Sequence, residues 1–402
     1  LATVLFKDRV GYATSLLAVL LLGLLPEIQT ASLFTWLILG GVTVVSVRRI
    51  QKRSQFYQTI ALLTVLSVCL ITLIGIANGA GFADLRHEYL IGIFTPILSV
   101  ALALFLLPVV EPVVGVSSDL TLLELSDLNH PLLMRMALEA QGTYHHSQVV
   151  SQLAEQAARA IGANALLTRV GSLFHDIGKM QKQEYFVENQ RAGINKHDEL
   201  TPSMSALVVA AHVKDGIDLA RKWRLPQAVI DFIPEHHGTT VMEFFYHKAL
   251  ENEANETVKV DAFRYPGPKP HRRETAILML ADAVEASTRA LPKPTPARIK
   301  EKTKQVMDQR LLSGELDECG LTLRDLARIR EAFLSLLSGI HHARIAYPEG
   351  KDKDRDRTRV RDRVREKANS TVPTEMDRGR ASGRDKTGSP APDPVAERGD
   401  PK

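Results

Sequence analysis

Histidine and aspartate recur in the middle of this 402-residue chain inside short, similar words. His146 lies in GTYHHS, His175 and Asp176 in HDIGK, His212 in AAHVKDG, His236 and His237 in EHHGT, and Asp282 in MLADAVEA. Imidazole and carboxylate together suit a divalent first-row metal such as Mn²⁺ or Fe²⁺, whereas structural zinc favours thiolates. Neither cysteine, Cys69 or Cys319, is near these words in sequence. Asp282 is the sharpest signal, because Ile277, Leu278, Met279 and Leu280 precede it and Ala283 and Val284 follow. An unpaired buried carboxylate costs several kcal/mol, which a bound metal would offset. Neighbouring residues on a helix point about 100° apart, so His175 and Asp176 could share one metal only at its edge. The two carboxylate oxygens of Asp176 would let it bridge two metals. Lys179, three and four residues beyond this pair, would present an ammonium to a phosphate oxygen from the same face. The other histidines (His87, His130, His145, His197, His247, His271, His341 and His342) are read as packing or surface residues.

These words must be held by helices. From Leu120 to about Tyr347, Leu and Ala recur at spacings of three and four, with few alternating β-branched runs, so the expected fold is all-α. Thr201 followed by Pro202 marks an N-cap and first-turn proline before a helix over 203–223.

The first quarter is a different material. Residues 1–110 hold 11 charged side chains, or 10%, against 29% in the remainder, too few to cover a solvated surface. Four apolar stretches occur there, at about 10–25, 31–47, 56–77 and 89–110. The last two have 22 residues each, enough at about 1.5 Å per residue to cross a hydrocarbon core of about 30 Å. The first two are shorter, and they are taken as spans by their company. Arg48, Arg49, Lys52 and Arg53 crowd the loop between the second and third stretches, which makes that loop cytoplasmic. Four crossings return the chain to the cytoplasm at Glu111. The expected organisation is a multi-pass anchor in the lipid bilayer of the plasma membrane (1–111), a connecting helical segment (112–140), a cytoplasmic α-helical domain (141–347) and a disordered charged tail (348–402).

The net charge of +4 lies wholly in the tail, where residues 351–402 carry 15 Lys and Arg against 11 Asp and Glu. The balanced remainder gives no reason to expect a nucleic acid polymer as partner. Two distant cysteines exclude a disulfide scaffold. The chain opens at Leu1 without a methionine or a charged leader, which reads as a piece of a longer protein.

Seven words taken in order, NHPLL, GTYHHS, HDIGK, HVKDG, EHHGT, FRYPGPKP and LADAVEAS, give the chain a resemblance to the HD-domain phosphohydrolase superfamily. Within it they are similar to the membrane-anchored seven-transmembrane HD phosphodiesterases that hydrolyse cyclic di-AMP. The resemblance implies two divalent metals: His146, His175, Asp176 and Asp282 would hold one, and Asp176, His212, His236 and His237 the other. It also implies a hydroxide activated between metals about 3.5–4 Å apart, which would open one phosphodiester of the ring to give linear pApA. Lys179 then becomes the expected phosphate contact, and Tyr265, in a Pro/Gly-rich loop, the residue that stacks on or lids an adenine. Three departures stand beside the matches: four spans rather than seven, NKHD at 195–198 in place of NPHD, and a long basic tail. Two other readings stay open, a phosphodiesterase acting on cyclic di-GMP and a non-catalytic receptor that binds a cyclic dinucleotide. The GYP and HPxxG words of the cyclic di-GMP enzymes are missing, and no metal ligand has been lost as in a degenerate receptor. Oligomeric state is left open, a homo-oligomer being compatible with the sequence.

Overall fold

Apolar length decides the first elements. The computed structural model describes residues 1–342 other than 7, 27, 49–53, 191–194 and 253–257, so the charged tail and most of the basic loop lie outside it. A five-residue helix α1 (Ala2–Phe6) precedes α2 (Asp8–Leu22), α3 (Thr30–Val47), α4 (Ser54–Ala77) and α5 (Arg86–Val114). By length and composition α3, α4 and α5 can each cross a bilayer. Helix α2 has only 15 residues, so its crossing is not carried by length. Leu16, Leu17, Leu20 and Leu21 on α2, like Leu98 and Phe105 on α5, are exposed, an apolar surface that water would not stabilise. Two pairs of polar side chains meet between these helices: Ser46 lies 2.6 Å from Thr59, and Thr72 lies 2.9 Å from Tyr89. Tyr89, in the first turn of α5, thus spends its hydroxyl on α4.

Helix α5 runs four residues past its expected end, through Pro108 and Pro112, and stops where Gly115 takes a left-handed conformation. Glu111 is buried near this end, accepting the Ser118 N–H at 3.3 Å and the Thr121 hydroxyl at 2.6 Å. The carboxylate therefore ties α5 to the next helix, α6 (Asp119–Leu125).

The remaining helices are α7 (Pro131–Glu139), α8 (Gln141–Ile161), α9 (Ala165–Phe174), α10 (Pro202–Lys222), α11 (Gln227–Ile230), α12 (Phe232–Glu235), α13 (Glu243–Asn252), α14 (Arg273–Arg289), α15 (Pro296–Leu312) and α16 (Leu323–His342). No strand is present among the described residues, only an isolated bridge between Val241 and Arg264. Helix starts follow local chemistry. Asn164 caps α9 and Thr201 caps α10 with their side-chain oxygens, the latter with Pro202 in the first turn as its sequence implied. His130 caps α7, with Pro131 next, which assigns NHPLL a structural part.

Helix α8 is the hub, packed by α7, α9, α14 and α16. Leu122, Leu132, Leu133 and Met136 join one core with Val150, Leu153, Phe174, Ile277, Leu280 and Phe333. Residues expected only to connect membrane and domain, 112–140, thus supply part of the domain's own core. Fully burying a leucine contributes roughly 1.5–3 kcal/mol, so Leu122, Leu132 and Leu133 tie α6 and α7 to that core.

Candidate metal centre

Six separate elements deliver the seven predicted ligands to one place. His146 stands in the second turn of α8, His175 at the C-cap of α9, and His212 in the middle of α10. His236 and His237 follow α12, and Asp282 lies on α14. Asp176 comes just after α9, at φ −107° and ψ 14°, where the α-helix gives way to a 3₁₀ turn. This break is what the helical-angle argument could not include: His175 and Asp176 converge because the helix ends between them, and His175 Nε2 lies 3.2 Å from Asp176 Oδ2. Lys179 is likewise on the 3₁₀ turn Ile177–Tyr185, not on an α-helical face.

Two groups of donors result. Single ligand atoms of Asp176, His212, His236 and His237 all lie within 4.8 Å of one another, as do those of His146, His175 and Asp282. Asp176 faces both groups with different oxygens. Its Oδ2 is 3.8 Å from His146 Nε2 and 3.2 Å from His175 Nε2, whereas its Oδ1 is 3.6 Å from His212 Nε2 and 3.5 Å from His236 Nε2.

The hydrogen bonds behind the rings settle which nitrogen is available. Nδ1 of His175 donates to Ser172 O at 2.7 Å, that of His212 to Val209 O at 2.5 Å, and that of His236 to Ile233 O at 2.7 Å. Each bond fixes the tautomer and leaves the Nε2 lone pair pointing inward. These three Nε2 atoms and Asp176 Oδ1 are buried and lack hydrogen-bond partners. Buried polar atoms are seldom left so, and four converging acceptors fit a cation.

The charge states of His212, His237, Asp176 and Asp282 agree with that fit. Burial pushes His212 down to about 4, and burial together with the neighbouring His236 holds His237 well below its ordinary value, so both rings are neutral. Burial alone would raise Asp176, but His175 and Lys179 outweigh it and hold the carboxyl well below its usual range. Asp282 is lowered in the same way, with His146 the largest opponent of burial.

Sequence reasoning missed the group behind His146. Glu285, one turn beyond Asp282 on α14, accepts from His146 Nδ1 at 2.6 Å, while Asp282 Oδ1 lies 2.9 Å from His146 Nε2. Burial would lower His146, yet these two carboxylates raise it to about 10. A second carboxylate in the apolar word MLADAVEAS was a legible signal.

Lys179 Nζ stands 2.7 Å from Asp176 Oδ2 and 2.9 Å from Glu188 Oε1. The ammonium is thus braced by two carboxylates at the edge of the centre. Tyr265 stacks on His237, with ring centroids 4.0 Å apart and planes 20° apart. Its loop is tied down by Tyr265 N–H to Thr240 O at 3.0 Å and by Lys269 Nζ to Gly314 O at 3.0 Å. The turn 238–240 is held in turn by Glu315, which accepts from Thr239 N–H at 3.0 Å and from its hydroxyl at 2.7 Å. Nothing in the sequence marked Glu315. Gly178, inside HDIGK, allows α10 to approach: a Cβ there would lie 1.9 Å from His212 O and 2.5 Å from Gly216 N.

Comparison with known proteins places this geometry. Residues 143–287 match the HD domain family, and residues 1–118 match the family described as 7TM receptor with intracellular HD hydrolase. The crystal structure of the Listeria monocytogenes phosphodiesterase PgpH HD domain in complex with cyclic di-AMP is similar, with a TM-score of 0.52 and 45% identity. That match covers 53% of this chain and 99% of the other. The chain belongs to the membrane-anchored HD-domain phosphohydrolases. It is 39% identical over 330 residues to the cyclic-di-AMP phosphodiesterase PgpH of L. monocytogenes, covering 80% of this chain and 45% of that protein. Against the Bacillus subtilis protein of the same name the identity is 38% over 324 residues, covering 79% and 45% respectively. The chain thus spans less than half the length of these curated relatives.

Proposed function

We propose that this membrane-anchored phosphohydrolase cleaves cyclic di-AMP to linear pApA at a centre of two divalent cations, Mn²⁺ or Fe²⁺. The observation that carries the reading is the shared Asp176 carboxylate, one oxygen turned to His146 and His175 and the other to His212 and His236. His146, His175, Asp176 and Asp282 would hold one cation and Asp176, His212, His236 and His237 the other. Cations bound there supply water activation at neutral pH and neutralise charge on the phosphodiester.

The chain's own residues do the rest. Backbone carbonyls behind His175, His212 and His236 keep their Nε2 atoms aimed inward, and Glu285 does so for His146. Lys179, oriented by Asp176 and Glu188, would offer its remaining N–H to a phosphate oxygen of the substrate. Tyr265, fixed by its stack on His237, would present its other surface to an adenine. The base is adenine, as in the cyclic-di-AMP phosphodiesterases that the chain resembles.

The domain would face the cytoplasm. The cationic loop 48–53 belongs inside, and α4 and α5 carry the chain out and back, so this sidedness holds whether or not α2 spans. We propose that α2 does insert and that four helices form the anchor. The test is the detergent-solubilised full chain loaded with Mn²⁺ and given cyclic di-AMP and cyclic di-GMP in parallel. Formation of pApA is the expected result. Binding without hydrolysis would favour a receptor, and preference for cyclic di-GMP would reassign the substrate.

A further inference from the structure

The stack of Tyr265 on His237 is held from a third place in the chain. After His237 the backbone turns through Gly238, at φ 55°, and Thr239 to Thr240, whose N–H and hydroxyl both donate to His237 O, at 3.2 and 2.8 Å. The Tyr265 segment hangs from this turn. Tyr265 N–H donates to Thr240 O at 3.0 Å, Met242 N–H to Phe263 O at 2.8 Å, and Arg264 Nη1 to Thr239 O at 3.0 Å. Residues 314 and 315, in the turn after α15, grip both partners of the stack. Glu315 accepts from the Thr239 N–H at 3.0 Å and from its hydroxyl at 2.7 Å, and Gly314 O accepts from Lys269 Nζ, in the loop that follows Tyr265, at 3.0 Å.

Glu315 is a costly residue to place there. It is 2% exposed, and among the described residues its oxygens meet Thr239 and no cation. Burying a carboxylate without a cation costs several kcal/mol unless donors compensate it. Gly238 is needed to admit it, since a Cβ at that position would run into Glu315 Oε2. A glutamine would be cheaper to bury, but it offers one acceptor oxygen where Thr239 presents two donors. The carboxylate is thus fitted to hold Thr239 at two points. The start of the Tyr265 segment is already buried in a small core of Ala206, Met242, Ala249 and Phe263. What Glu315 adds therefore lies at the other end, in the turn that carries His237 and receives Tyr265.

We propose that Glu315 is a positioning residue for the cyclic dinucleotide. Its two bonds go to Thr239, so it acts at one remove: it fixes the turn 238–240, and with it the tilt of Tyr265 on His237 and the surface that Tyr265 presents to a base. The inference rests on the proposed function, in which Tyr265 meets an adenine. Slackening the turn loosens substrate binding more than it slows the chemical step, because Asp176, Lys179 and the other donors are held by bonds that do not pass through Thr239.

The experiment is a double-mutant cycle between Glu315→Gln and Tyr265→Ala in the Mn²⁺-loaded full chain, with Thr239→Val and Thr239→Ser as a second series. Losing one hydrogen bond corresponds to about 3- to 10-fold, so Glu315→Gln and Thr239→Val should each raise KM for cyclic di-AMP by that factor, with kcat and metal content little changed. Thr239→Ser keeps both donors and should stay near the wild type. In the Tyr265→Ala background Glu315→Gln should raise KM no further, because its effect passes through that ring. An unchanged KM in both Glu315→Gln and Thr239→Val, or losses that multiply in the double variant, would overturn the assignment and leave Glu315 a structural residue of its turn. If Glu315→Gln does not fold, the cycle between Thr239→Val and Tyr265→Ala is read in the same way. A wild-type chain that neither binds nor cleaves cyclic di-AMP would overturn the proposed function, and this inference with it.

Discussion

Glu285 offers the most discriminating perturbation, because it touches one of the two donor groups and not the other. Its Oε2 accepts a hydrogen bond from His146 Nδ1–H at 2.6 Å, and among the described residues its other oxygen meets only the exposed Arg289, at 3.4 Å. The Arg289 contact is worth little in water. Replacing Glu285 by Ala leaves His146, 3% exposed, with a buried donor and no acceptor, a cost of roughly 1–3 kcal/mol. Loss of such a supporting carboxylate typically lowers metal affinity by about 10- to 100-fold, or about 1.4–2.7 kcal/mol, and the two estimates agree. Glu285→Gln keeps an acceptor and loses the charge, so its effect should be smaller. Equilibrium dialysis of the full chain against graded Mn²⁺, with bound metal counted per chain, reads the effect directly. The wild type should take up two ions. In Glu285→Ala one should bind at the wild-type concentration, through His212, His236 and His237, while the other shifts upward by the stated factor. Equal weakening of both ions, or of neither, would refute the claim that Glu285 acts through His146.

Three further perturbations test the rest of the centre. Asp176→Asn removes the charge shared by both groups, so both ions and all measurable turnover should be lost; an unchanged metal count would contradict the bridge. Lys179→Ala should retain metal and raise KM for cyclic di-AMP. The same change takes the cation from the partly buried Glu188, which keeps only the Thr143 hydroxyl beside it among the described residues, so the thermal midpoint should fall as well. Gly178→Ala drives a methyl into His212 O at 1.9 Å. Overpacking of this kind costs about 1–3 kcal/mol or more, and it should displace α10 and reduce metal binding in the group that includes His212, with His146, His175 and Asp282 less affected.

Much of the centre was legible because metal chemistry is written in residue types. Imidazoles and carboxylates embedded in apolar helices need a reason to be there, and Asp282 after Ile277–Leu280 supplied it. The helix start at Thr201–Pro202 was a local event that side-chain capping determines within a few residues, whereas the cap by His130, read as a packing or surface residue, emerged only from the structure. Other features were not local. The 3₁₀ break after His175, the stack of Tyr265 on His237 and the brace of Thr239 by Glu315 each depend on partners far along the chain or on packing that periodicity does not encode.

By itself, the sequence determined the division of the chain into a charge-poor anchor and a charge-balanced helical domain, since burial in lipid and exposure to water demand different compositions. It determined the ligand types as well. Only the tertiary structure decided how Asp176 divides its two oxygens between donor groups, that Glu285 stands behind His146, and that α6 and α7 belong to the domain core. Composition and spacing set what each segment can bury or bind. Which atoms meet depends on how α8, α9, α10 and α14 cross, and those crossings follow from close packing among all the helices together.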